Sequence, residues 1–445
     1  MAMVVKNNMS AKKTLNTLSN NSKAVGKSLE KLSSGMKINS AADDASGYAI
    51  SERMENQIRS LDQGNSNTQN AGSLMKVAEG AVSSTVDILK TLKEKVINAA
   101  NDSNSDADRQ TIQKEVNQAL DQIDDNANST FNGKIMLDGS KNSAVIAGGT
   151  ATHLTNESFA EGTDMFVALP DLRDRSGQLL GIESTDKVTM SYVKGGRTHS
   201  QTLDVSDPVN GIMTFGQVFN WNPAIDDLGI QSADADGKMS YIGQNESGKS
   251  IYTTDSKDAI TFYASKPGVD GQISGLTFNV TDKDGNVKKS VNAYFDNFTE
   301  TIRAQDESDD NALTFQTGTK ANQSIKVGFT DMRSVALGLK GTDGTKLDVS
   351  TQVKANAAVS VLDNAVQKAL NQQTTIGSLE SRLEYTSANL TTASENVQSS
   401  NSVIRDADMA KEMTSYTRNN VLLQSAQSML SQANQNSSAV LSLLK

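Results

Sequence analysis

The stretch IGSLESRLEYTSANLTTASENVQSSNSVI, residues 376–404, decides the fold. Alternating spacings of three and four pick out Ile376, Leu379, Leu383, Thr386, Leu390, Ala393, Val397, Ser400 and Ile404, a heptad seam over four repeats. A helix with such a stripe is built to lie against another helix. After the polar step RDADMAKEM (405–413), a second seam runs Leu422, Ala426, Met429, Ala433, Asn436, Val440 and Leu443, widened by Leu423, Leu430, Leu441 and Leu444. Burying one apolar stripe does not offset the entropy of ordering so long a segment. The segment therefore needs partners, and the nearest is the other end of the chain.

There, Ala11, Leu15, Leu18, Ser22, Val25, Leu29, Leu32 and Met36 keep the same spacing. Seven lysines against Glu30 alone make residues 1–37 basic, either a solvated helix face or a surface that meets acidic neighbours. A third helical pattern runs Leu74, Ala78, Ala81, Thr85, Ile88, Leu92, Lys95 and Ala99, and a fourth Ile112, Val116, Ala119 and Ile123. NDSNSDAD (101–108) separates them with helix-capping residues. Phe131-Asn132-Gly133-Lys134 then reads as a turn. The middle is different: all four prolines and Trp221 fall there, and Val188/Met190/Tyr192 and Leu276/Phe278/Val280 alternate as strands before glycine turns. From Leu313 a hairpin is expected, and from Ser334 a return to helix carrying Ala358, Leu362, Ala365 and Ala369 on one face.

The expected fold is a multidomain α+β protein, with a long α-helical coiled coil and bundle formed by both chain ends and a β-rich inserted outer region. The divisions are residues 1–40 with 406–445 as a terminal coiled coil, 41–140 with 311–405 as a helical bundle with short β hairpins, and 141–310 as the insert. At 445 residues about two to four domains are expected. A net charge of −10 argues against nucleic acid as a partner. The absence of cysteine excludes disulfides and thiolate metal sites. The opening residues are too short an apolar run for a secretory signal and no run reaches membrane-spanning length, so a soluble chain exported by another route is expected.

SSGMKINSAADDASGYAIS (33–51) and RDADMAKEMTSYTRNNVLLQSAQSMLSQANQNSSAVLSLL (405–444) resemble the two terminal signatures of bacterial flagellins, and FNGKIMLDG (131–139) and FQTGTKANQSI (315–325) resemble that family's short β segments. The resemblance implies a subunit that polymerises into the extracellular flagellar filament for swimming. It further implies unfolded export by the flagellar type III route, a chaperone that binds the C-terminal segment, and cap and hook-associated junction proteins as partners. Leu15, Leu18, Val25, Leu29, Leu32, Leu422, Met429, Val440 and Leu443 would then pack the filament core, and Leu379, Leu383, Leu390, Val397 and Ile404 the bundle seam. Asp43, Asp44 and Gly47 form the signature loop, with the carboxylates capping a helix start and making an intersubunit or hinge contact. Host Toll-like receptor 5 would read Leu89, Thr91, Glu94, Lys95 and Glu115. The family's recognised form usually carries arginine at position 91 and leucine at 95, so weakened recognition is expected.

Three signals suggest other chemistry. GQNESGKS (243–250) fits the phosphate-loop pattern, but the β-branched and aromatic Ile251-Tyr252-Thr253-Thr254 is a poor helix start. Residues 232–237 resemble half a calcium loop, but Gly243 stands where glutamate is required, so a plain turn is expected. His153 and His199 stand apart from further ligands. The reading is a non-enzymatic structural subunit with no cofactor, metal or catalytic residue. Its rivals are a hook-associated junction protein and a nucleotide hydrolase using Lys249.

Overall fold

The computed structural model describes residues 8–207, 211–220, 228–231, 241–245, 248–254 and 258–443. Among them are seven α-helices: α1 (Met9–Ser34), α2 (Ala45–Ala99), α3 (Asp106–Ala127), α4 (Gln217–Asn220), α5 (Lys289–Phe295), α6 (Gln352–Arg405) and α7 (Met409–Leu443). The strands all lie between α3 and α6, so the fold is α+β, with helical ends and a β-rich middle. The absence of proline from α2 and α6 lets them run 55 and 54 residues. Two compact units form: Met1–Thr68, Gln316–Gln323 and Tyr385–Lys445 in the first, and Gln69–Phe315 and Ser324–Glu384 in the second.

The second unit holds two apolar cores. One joins Met75, Val82 and Val86 of α2 to Leu120 and Ile123 of α3 and to Ala358, Val361, Ala365 and Ala369 of α6, whose small side chains admit close approach. Two local devices set the turn into α3. Ser105 and Asp108 form a reciprocal capping box, and the buried Arg109 donates to the carbonyls of Ala99 (2.9 Å) and Asn101 (3.1 Å), satisfying the end of α2. The other core lies in the β-rich part, where Phe159, Phe215, Phe262, Phe278 and Phe295 pack together.

Lys187–Lys194 and Arg197–Asp204 form a hairpin through Gly195-Gly196, both at positive φ, as a two-residue turn of this hand requires. Ile273–Thr281 pairs on its far side, setting Val280 opposite Val188 and Phe278 opposite Met190. A second antiparallel sheet runs Thr299–Ile302, His153–Asn156, Ile260–Ala264, Leu228–Gln231. The turn read at Asn132-Gly133 joins strands Thr130–Phe131 and Lys134–Ile135, and Leu313–Gln316 pairs with Ser324–Val327. One expectation fails: Ser334 does not begin a helix. Gly338 and Gly344 take positive φ, residues 334–351 turn back on themselves with Lys340 opposite Lys346, and helix resumes at Gln352.

Candidate functional site

In the first unit α1 runs antiparallel to α7. The pairing descends from Asn8, which donates to the Ala433 carbonyl (3.2 Å), through Asn21 to the Leu422 carbonyl (3.1 Å) and Ser28 with Asn419 (3.3 Å), to Gly35, whose carbonyl accepts from Ala407 (2.8 Å). Two helices of heptad period therefore meet, but through a different set of positions from the expected one. On α1 the covered positions include Ala11, Thr14, Leu18, Asn21, Val25, Ser28 and Leu32. On α7 they include Asn419, Leu423, Ala426, Leu430 and Ala433. Of the expected packing residues, Leu18, Val25 and Leu32 lie in this seam, while Leu15, Leu29, Leu422 and Met429 are exposed. The physical reason is that polar residues on this face bond across the pair, Asn21 donating to the Leu422 carbonyl and Asn419 donating to the Ser28 hydroxyl. Val440 and Leu443 belong to α7, with side chains outside those described.

The interior of this unit is sparse. Ile38, Leu61 and Ala426 are its only fully buried apolar side chains among the described residues. Contacts between α2 and α6 in this unit are largely polar, Ser394 donating to Asp62 (2.8 Å) and Ser387 to Asn65 (2.6 Å). Along the expected α6 seam, Leu383, in the second unit, is buried, and Leu379, Leu390, Val397 and Ile404 are half-buried.

The breaks α1–α2 and α6–α7 lie side by side, Met36 bridging Asp406 and the Lys37 N–H donating to the Arg405 carbonyl (2.7 Å). Arg405 spans Glu52 (3.0 Å) and Glu55 (3.1 Å) with its guanidinium 5.6 Å above the Tyr48 ring. Asp408 caps α7 by accepting from Ala410 (3.0 Å) and Lys411 (3.1 Å). In the signature loop Asp44 accepts from Ser46 and Gly47 (both 3.0 Å) at the start of α2. Asp43 instead closes its own loop. The backbone N–H groups of Ser40 and Asn39, with Lys27 at 3.8 Å, hold its carboxyl below the usual carboxylate range. At Gly47 a β-carbon would sit 2.6 Å from Asp44 Oδ2 and 2.7 Å from Ile38 Cδ1, so a larger residue would displace both side-chain ends.

Of the expected receptor surface, Leu89 is a correction. It is 0% exposed inside the helical core, since it falls on the same face of α2 as Val82, Val86 and Val96. Thr91, Glu94 and Glu115 are exposed, and Lys95 pairs with Glu115 at 2.9 Å.

The phosphate-loop pattern joins antiparallel strands Tyr241–Gln244 and Ser250–Tyr252, with Ser250 opposite Gln244. The chain leaves Lys249 as strand, so no helix N-terminus is there to hold a phosphate. Trp221 and residues 232–237 lie outside the described residues. His153 stacks on Tyr263 and His199 on Tyr192, and burial pushes the His153 imidazole below its usual range. Among the described residues no three His, Cys, Asp or Glu side chains gather as a metal site, and no helix is long and apolar enough to cross a membrane.

Comparison with known proteins matches residues 5–142 to the bacterial flagellin N-terminal helical region and residues 359–444 to the bacterial flagellin C-terminal helical region. A flagellin of Clostridium tyrobutyricum is 33% identical over 97% of this chain and 99% of its own. A flagellin of Bacillus subtilis is 30% identical over the full length of both. Among solved structures, the flagellar junction protein FlgL of Legionella pneumophila aligns over 75% of this chain and 99% of its own at 16% identity, with a TM-score of 0.30, too low to carry an argument.

Proposed function

The chain belongs to the bacterial flagellin family and is a subunit of the flagellar filament, and from that premise we propose that its terminal helix pair is the polymerising part, an incomplete core that neighbouring subunits fill. One observation carries this reading: among the described residues the first unit buries three apolar side chains while exposing Met9, Leu15, Leu29, Met413, Val421, Leu422 and Met429. So many exposed apolar groups on two helices mark an interaction surface. Leu18, Val25 and Leu32 hold the pair together. Leu15, Leu29, Leu422 and Met429, with Val440 and Leu443, pack against other subunits. Residues 1–40 and 406–445 then form the filament core, 41–140 and 311–405 the surrounding bundle, and 141–310 the exterior insert.

The same exposed α7 residues suit an export chaperone before assembly, and cap and junction proteins at the filament ends. The filament is extracellular and the chain non-enzymatic. Toll-like receptor 5 would bind weakly, because Thr91 offers no guanidinium and Lys95, paired with Glu115, puts a charge on that surface where the recognised form carries leucine.

Electron microscopy after seeding tests the reading by comparing the full chain with one lacking residues 1–37 and 406–445. Long filaments from the full chain alone are expected. Elongation by the truncated chain would overturn the role given to the terminal pair.

A further inference from the structure

Methionine is unevenly placed in this chain. Met75, Met136, Met190, Met213 and Met332 are buried. Among the described residues the exposed methionines are Met9, Met409, Met413 and Met429, from 46% at Met409 to 66% at Met429, and all four lie on α1 or α7. Met413 also borders a shallow groove with Thr414, Thr417, Arg418, Val421 and Leu422. The helices that carry the unfilled apolar surface therefore also carry the accessible thioethers.

We propose that these four methionines are a modification site for two-electron oxidants of the peroxide class, and that their conversion to sulfoxides in the free subunit arrests elongation. The proposal rests on the filament reading above. In the reaction the thioether sulfur attacks one peroxide oxygen, the O–O bond breaks, an S–O bond forms and water leaves. Sulfur loses two electrons and the peroxide gains them.

The consequence is physical. A sulfoxide oxygen accepts hydrogen bonds strongly, yet the backbone N–H groups around Met413 and Met429 are engaged within α7. In the first turns beside Met9 and Met409, those of Ala11, Ala410 and Lys411 already donate to Asn8 and Asp408. Packed against a neighbouring subunit, that oxygen would be buried without a donor, which disfavours association. Packing also covers the sulfur, so a filament is protected where a free subunit is not.

The test treats full-length chain with hydrogen peroxide, as free subunits and as filaments, and follows sulfoxide by peptide mass spectrometry and elongation from untreated seeds. A quadruple variant, Met9→Leu, Met409→Leu, Met413→Leu and Met429→Leu, keeps apolar side chains of similar volume. In free subunits the four sites should oxidise before the five buried ones, and elongation should fall about tenfold or more, as an unpartnered polar group in an interface implies. The variant should keep its rate after the same exposure, and filaments should oxidise at these sites far more slowly. Complete conversion with unchanged elongation would overturn the proposal, as would equal arrest of the variant or equal oxidation in filaments. If the untreated variant fails to elongate, a methionine sulfoxide reductase added to oxidised wild-type chain decides: recovery supports the proposal and continued arrest overturns it. Failure of untreated wild-type chain to extend seeds would overturn the filament reading and this proposal with it.

Discussion

The two compact units spend their apolar residues differently. In the second, Leu120, Ile123, Phe262 and Phe295 are completely enclosed, and each core closes on side chains of the same chain. In the first, helices of comparable regularity meet through seams that mix Leu18, Val25 and Leu32 with Asn21, Ser28, Asn65 and Ser394, and much of their other leucine and methionine faces outward. Helix periodicity alone does not tell a self-sufficient bundle from one that is completed by association. What separates them is where the apolar side chains go once the small polar ones have taken the seam.

The largest expected effect sets matched truncations against each other. Leu120→Ala should destabilise the isolated chain by about 2–5 kcal/mol in denaturant unfolding, because it opens a cavity in a closed core. Leu29→Ala, at a side chain 51% exposed, should leave that stability within about 0.5 kcal/mol yet slow seeded elongation. Equal destabilisation by both would erase the distinction between the units.

Gly47→Ala probes a tightly packed corner of the first unit. Its added carbon meets Asp44 and Ile38, so a loss of about 1–3 kcal/mol is expected, read as faster hydrogen exchange at the start of α2. Exchange unchanged from wild type would show that the loop yields freely.

A smaller effect separates the units by pH. Burial works against ionising Asp124, but Ser334, whose backbone N–H donates at 2.8 Å, and Lys340 at 3.2 Å outweigh it and hold the carboxyl below its usual range. With the folded pKa depressed, this stabilisation is complete above the unfolded value of about 3.9 and is lost as pH falls through the lower folded value. Asp124→Asn should flatten the acid limb of the second unit's unfolding curve, and an unaltered limb would assign acid sensitivity elsewhere. The smallest effect is at Lys95→Ala. Its half-exposed pair with Glu115 should contribute no more than about 0.5 kcal/mol, and that contribution should fade with added salt.

Much of this was legible in the residues. The heptad spacing at both ends, the capping run before α3 and the glycine turn between alternating strands each follow a local rule. Three features were not. A return to helix is expected from Ser334, but Gly338 and Gly344 at positive φ turn the chain back before Gln352. Arg109 looks like an ordinary surface charge until the carbonyls at the end of α2 are seen to need its donors. Leu89 sits within a resemblance to a receptor surface, yet its position on the helix points inward.

By itself the sequence determined that both ends are long helices seeking partners, that a β-rich segment interrupts them, and which family the chain belongs to. Which residues those helices turn toward each other was decided only by the tertiary structure. Leu422-Leu423 and Met429-Leu430 are tandem apolar pairs, and Thr14-Leu15 and Ser28-Leu29 offer a small polar neighbour beside each leucine. Adjacent residues on a helix lie about 100° apart, so two seams with one spacing fit the same sequence. The choice falls to cross-helix bonds such as Asn21 to the Leu422 carbonyl, which exist only once the second helix is in place.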